Sequence, residues 1–193
     1  ALLVGATLLP VVASAQDTTV SQPAPAIDPM AFCGVEPVAF SSKQLMQKGH
    51  IKVEANRTEI IENKVALFSG NVDITSDAAV ISASQAQVNS GGKDLIAKGD
   101  VTYQDESLKV QSDTVSLRSE EERLEMTNTK YQLTGFVGQG AAKDILLDTN
   151  TGIVLKEVSF TTCPQGSEDW LIRASEISLE KGTAWGQAKH TRF

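Results

Sequence analysis

At 193 residues the chain is long enough for one domain with a continuous core, two at most. Its 24 acidic against 17 basic residues give a formal charge of −7, with no run of Lys or Arg along the sequence. That balance removes the counterion-release term on which nucleic-acid binding depends, and excludes nucleic acid as an expected partner.

The chain opens on an apolar run, Leu2 to Ala13, about the length of a secretory h-region, and Ala13-Ser14-Ala15 is the small-x-small pattern that signal peptidase cuts after. Residues 1–15 are therefore read as a signal peptide truncated at its start, since neither Met nor a basic segment precedes the run. The alternative is a buried N-terminal helix or strand; Gly5, Pro10 and the polar Gln16-Asp17-Thr18-Thr19 speak against it. A spanning helix needs about 20 apolar residues, and no later segment approaches that. Residues 16–50 lack periodicity and carry Pro23, Pro25, Pro29 and Pro37, which predicts a flexible tether with its apolar punctuation at Ala31-Phe32-Cys33-Gly34-Val35.

From Ile51 to Phe193 apolar and polar residues alternate, as in Gly70-Asn71-Val72-Asp73-Ile74-Thr75 and Gly99-Asp100-Val101-Thr102-Tyr103-Gln104, which is strand periodicity. These two segments lie 29 residues apart and stay in phase: Ile81-Ser82-Ala83 matches Val110-Gln111-Ser112, and Ala86-Gln87-Val88 matches Val115-Ser116-Leu117. Weaker copies occur at Val53-Glu54-Ala55 with Thr58-Glu59-Ile60, at Ala142 with Ile145 and Leu147, and at Ile172-Arg173-Ala174 with Ile177-Ser178-Leu179, making five in all. Within each copy the two apolar pairs are separated by an odd step, which a regular strand cannot accommodate on one face. A bend or bulge at Ser84-Gln85, Asp113-Thr114 and Ser175-Glu176 restores one inward face. Stacked strands of this kind predict an all-β, elongated V-shaped or open β-jelly roll, with turns at Ser90-Gly91-Gly92-Lys93 and Asn150-Thr151-Gly152.

The expected inward face is Val, Ile, Leu, Ala and Ser, with Tyr103, Met126, Tyr131 and Phe160 as the larger members. Ordinary sheet packing accounts for it. The functional alternative is an interior that takes linear apolar chains, lined by Ile74, Ile81, Val101, Val110, Val115, Leu117, Leu133, Ile145, Leu147, Phe160, Ile172 and Ile177. In that reading a charge at Val110 or Leu117 blocks transport without preventing export; in a filled, purely structural module the same charge unfolds the domain. Catalysis is not expected, because His50 and His190 are single and neither is spaced with another ligand as a metal site requires. No metal or cofactor is implied. Gly135, Gly138 and Gly140 read as bulge or turn glycines, and Trp170 and Trp185 are assigned no role. Cys33 and Cys163 leave three options: one internal disulfide closing a loop of about 130 residues, two buried thiols, or bonds to cysteines outside this chain.

The segment Asn128-Thr129-Lys130-Tyr131-Gln132-Leu133-Thr134-Gly135, then Val158-Ser159-Phe160-Thr161-Thr162-Cys163-Pro164 and Asp169-Trp170, then Ile172-Arg173-Ala174-Ser175-Glu176-Ile177, resembles the LptD family of lipopolysaccharide-assembly proteins. The 29-residue repeat resembles the OstA-type repeat which that family shares with the soluble LptA-type bridge proteins; these lack the Ser-Phe-Thr-Thr-Cys-Pro stretch. The resemblance implies a periplasmic β-jelly roll followed by an outer-membrane barrel beyond Phe193, in a Gram-negative cell. It also implies that Cys33 and Cys163 bond to a cysteine pair in that barrel. Further implications are lipopolysaccharide as cargo, an LptA-like bridge protein joining by edge-strand pairing near Ile51 to Ile60, and an LptE-like lipoprotein met through the barrel. Competing expectations are a structural interaction module and a soluble bridge subunit of the LptA type.

Overall fold

The computed structural model describes residues 40, 50–62, 64–134, 137–164, 169–182 and 186–193. The signal segment, nearly all of the tether with Cys33, and Gly135 and Trp185 lie outside the described residues. Eleven strands follow one another: β1 (Lys52–Glu54), β2 (Arg57–Ile61), β3 (Val65–Thr75), β4 (Val80–Asn89), β5 (Asp94–Gln104), β6 (Leu108–Arg118), β7 (Arg123–Leu133), β8 (Gln139–Asp148), β9 (Gly152–Phe160), β10 (Ile172–Glu180) and β11 (Gly186–Lys189). All pair antiparallel with their neighbours in sequence, in the order β1-β3-β4-β5-β6-β7-β8-β9-β10-β11, with β2 also on β3. β1 and β2 act as one interrupted strand: β1 pairs with the second half of β3 and β2 with its first half. The five sequence copies are thus β1–β2, β4, β6, β8 and β10, and the expectation of an open all-β sheet holds.

Each strand changes phase near its middle. In β4, Ile81, Ala83 and Ala86 are buried while Ser84 and Gln85 between them are exposed; β10 shifts likewise around Ser175-Glu176. In β6 the buried Val110 and Ser112 give way to Val115 across Asp113-Thr114. The odd-numbered strands meet the same line differently. Their residues there adopt positive φ: Asn71 at 48°, Asp100 at 48°, Asn128 at 51° and Glu157 at 46°, spaced 29, 28 and 29 residues apart. Asn and Asp tolerate the left-handed region better than most residues, because their short polar side chains bond locally. Register shifts fall at Gly70-Asn71 and Gly99-Asp100, where the odd strand inserts one residue more than its partner. Buried residues from both sides of this line join into one apolar cluster, so one half of the sheet lies over the other.

The expected turns are present. Ser90–Gly92 form a single 3-10 turn with Gly91 and Gly92 at positive φ, and Gly152 has φ 120°. The turn before Gly152 is held by Asp148, whose carboxylate accepts from the backbone N–H of Asn150 at 2.8 Å and of Thr151 at 3.0 Å. Those bonds hold the Asp148 carboxyl below its usual range. A depressed folded pKa contributes stability that is present above the unfolded value and lost as pH falls through the folded one. The urea midpoint difference between the native chain and Asp148→Ala is therefore expected to be full near neutral pH and to shrink below about pH 4; a difference independent of pH would remove this role.

Candidate functional site

Along the inward face, cross-strand pairs line up as continuous rows. At the rim of one half runs Ile60–Ala66–Val88–Leu95–Leu117–Leu124–Leu147–Ile153–Leu179, each residue the direct partner of the next. At about 4.8 Å per step this apolar track extends for about 38 Å from the β2 edge to β10, one strand short of the opposite edge. Its ends are open: Ile60 is 66% and Leu179 43% exposed, while Leu117, Leu147 and Ile153 are half-buried. Beside it, nearer the bend, Val115, Met126 and Ile145 are completely buried. The opposite half carries Val53–Ile74–Ile81–Tyr103–Val110–Tyr131 in register.

All twelve residues expected to line the interior lie on this inward face, at two depths. Ile74, Ile81, Val101, Val110, Val115 and Ile145 are buried, Val110 to 0% exposure. Leu117, Leu133, Leu147, Phe160 and Ile177 are partly buried against the cluster, and Ile172 is half-buried. Val110 is among the most deeply covered of them: Tyr103 and Tyr131 flank it on either side and close it off. Leu117, between Leu95 and Leu124, can take a charge. Sequence reasoning missed Ala66, Leu95, Leu124 and Ile153, which belong to the odd strands. Their spacing, 29 residues at every step, was the available signal.

The two buried tyrosines of this face have partners for their hydroxyls. The Tyr103 hydroxyl donates to the Asp105 carboxylate at 2.7 Å, and the Tyr131 hydroxyl to the Ser159 carbonyl at 2.8 Å. Burial pushes both phenols far above their ordinary range, with the Asp105 charge adding to the effect at Tyr103, so both stay neutral and present ring to the interior. At the C-terminal end Trp170 packs between Phe160, 5.9 Å away, and Phe193, stacked at 6.3 Å. Gly138 and Gly140 are close-approach positions and not turns: a Cβ on Gly138 would meet the Phe160 ring at 2.7 Å, and one on Gly140 the Ser159 carbonyl oxygen at 1.8 Å. Cys163 is fully buried and disulfide-bonded; its carbonyl accepts from the Gln139 side-chain amide, and its N–H donates to Thr161 Oγ1 at 3.0 Å. Among the described residues no group of three or more His, Cys, Asp or Glu is placed to hold a metal ion.

An open antiparallel sheet of bent strands, with one apolar track running from the β2 edge to β10, defines an elongated jelly roll. The family model for "LptA/(LptD N-terminal domain) LPS transport protein" matches residues 52–185, and the chain belongs to that family. It is 35% identical over 161 residues to the LPS-assembly protein LptD of Pseudoalteromonas atlantica, covering 83% of this chain and 21% of that protein. Against LPS-assembly protein LptD of Idiomarina loihiensis it is 31% identical over 150 residues, covering 78% and 20%. The chain thus spans about a fifth of the length of these relatives. Among solved structures it is similar to LptH, the LptA homologous periplasmic component of the lipopolysaccharide transport device from Pseudomonas aeruginosa, at 17% identity and a TM-score of 0.49, covering 62% of this chain and 86% of that one.

Proposed function

We propose that this domain carries lipopolysaccharide through the periplasm to the outer membrane, holding the acyl chains along its inward face and leaving the headgroup in water. The observation that carries this reading is the rim row from Ile60 to Leu179, apolar at every step and exposed at both ends. Exposing an acyl chain of about ten methylenes to water costs roughly 8 kcal/mol, and an apolar track removes most of that cost. Among the described residues no further strand lies beside β1–β2 or β11, which supports continuation of the sheet into partner sheets, because an edge strand adds readily to another sheet. In this reading an LptA-like bridge protein pairs with β1–β2. The β11 end delivers cargo to an outer-membrane barrel, which an LptE-like lipoprotein accompanies. In this reading the disulfide that Cys163 carries in this structure is exchanged, and Cys33 and Cys163 pass to a cysteine pair in that barrel.

The test is direct binding of fluorescent lipopolysaccharide to the purified chain. Leu117→Asp and Ile177→Asp are expected to keep the β-sheet circular dichroism and weaken binding by tenfold or more, since a charge on a half-buried apolar rim repels the chain, not the fold. Equal binding by the folded variants and the native chain would refute the reading.

A further inference from the structure

On the solvent side of the bend, folding gathers cations that are scattered in the sequence. Lys130, Arg173 and Arg192 fall on one cross-strand row: Lys130 is the partner of Ala141, Ser159 the partner of Arg173, and Arg173 the partner of Arg192. The middle of the row is fixed by Ser159 Oγ, which accepts from the Ala141 N–H at 3.0 Å. Lys143 lies on the adjoining wall of the same trough, a cavity of about 750 Å³ floored by the small side chains of Ala141 and Ser159. Four cations face it against a single carboxylate, Glu157, in a chain whose total charge is −7.

Among the described residues none of the four cations is in an ion pair, whereas Lys189 on the same edge pairs with Glu176 at 2.7 Å. Arg173 and Arg192 are moreover bonded backbone to backbone in both directions, Arg173 N–H to Arg192 carbonyl at 2.9 Å and the reverse at 2.8 Å. Like charges directly opposite one another across strands are destabilising unless an anion lies between them. Two neighbouring guanidinium forks match the oxygens of a phosphate, and Lys130 stands about 14 Å away across three strand spacings, within reach of a second charge on the same molecule.

We infer that this trough is a binding site for a phosphorylated group, borne either by a lipid headgroup or by a soluble phosphate or phosphosugar. A phosphomonoester near −2 suits several cations better than a single carboxylate does. The trough opens on the opposite face from the apolar track, so its occupancy does not depend on what the interior holds.

The test uses the full 193-residue chain, isotopically labelled, titrated with inorganic phosphate at constant ionic strength set by chloride. Saturable amide shifts are expected at Lys130, Ala141, Ser159, Arg173 and Arg192. Arg173→Gln with Arg192→Gln is expected to weaken binding roughly tenfold or more, and Glu157→Gln to strengthen it, with the rest of the spectrum unchanged. Shifts spread evenly over remote lysines such as Lys64 and Lys109, or unaffected by the double substitution, would overturn the site. So would a glutamate-rich peptide that binds as tightly as phosphate. A second arm measures co-sedimentation with phosphatidylglycerol–phosphatidylcholine vesicles. Arginine-dependent sedimentation assigns the site to a lipid headgroup; phosphate binding without sedimentation assigns it to a soluble phosphorylated molecule.

Discussion

Val110→Asp is expected to unfold the domain. Val110 is completely buried on β6, with Tyr103 and Tyr131, neither of them cationic, as its cross-strand partners. An unpaired carboxylate in such a place costs about 3–5 kcal/mol, comparable with the whole stability of many domains at about 5–15 kcal/mol. Chemical denaturation and near-UV circular dichroism check it: the variant is expected to lose its cooperative transition or to shift it by most of the native midpoint. Leu117→Asp, seven residues along the same strand but on the half-buried rim, is expected to unfold cooperatively with a much smaller shift. The contrast separates a core position from a cargo-facing one.

Gly140→Ala is expected to be strongly destabilising. Gly140 lies in β8 beneath the Ser159 carbonyl of β9, and an added methyl would sit 1.8 Å from that oxygen and 3.0 Å from the Tyr131 hydroxyl. Backbone stands in the way, so no side-chain rotation relieves the clash. Forcing the strands apart also breaks the Tyr131–Ser159 hydrogen bond. Overpacking of this kind together with a lost hydrogen bond adds up to about 3 kcal/mol, or a fall in Tm of roughly 10 °C for a domain of this size. Gly92→Ala, at a turn with nothing within 4 Å of the added methyl, serves as the comparison, its penalty confined to backbone strain at positive φ.

The architecture was legible because β periodicity has only one free choice, which face is inward, and the repeat fixed that choice five times over. The odd step between Ile81–Ala83 and Ala86–Val88 sufficed to predict the bend, since no straight strand satisfies both pairs. Depth of burial was not legible. Val110 and Leu117 look equivalent in sequence, yet the tyrosines beside one and the leucines beside the other give them different cover. The rim row was missed at Leu95, Leu124 and Ile153 because the odd strands were compared only from the bend onward, at Gly70–Thr75 and Gly99–Gln104, and not over their first halves. The role of Gly140 was likewise hidden, as close approach to Ser159 depends on how β8 and β9 meet at the bend. The cationic trough joins residues from 130 to 192, and no local window contains it.

Site-specific photo-crosslinking in cells tests the cargo track most directly. With a photoreactive residue placed in turn at Leu117, Leu147 and Ile177 of the full-length protein, and at the outward Gln111 and Ser116, lipopolysaccharide is expected to be captured from the first three positions alone. Absence of capture at all three in a folded protein, or equal capture from Gln111, would contradict a lipid-holding interior and leave the sheet as a filled adaptor between its neighbours.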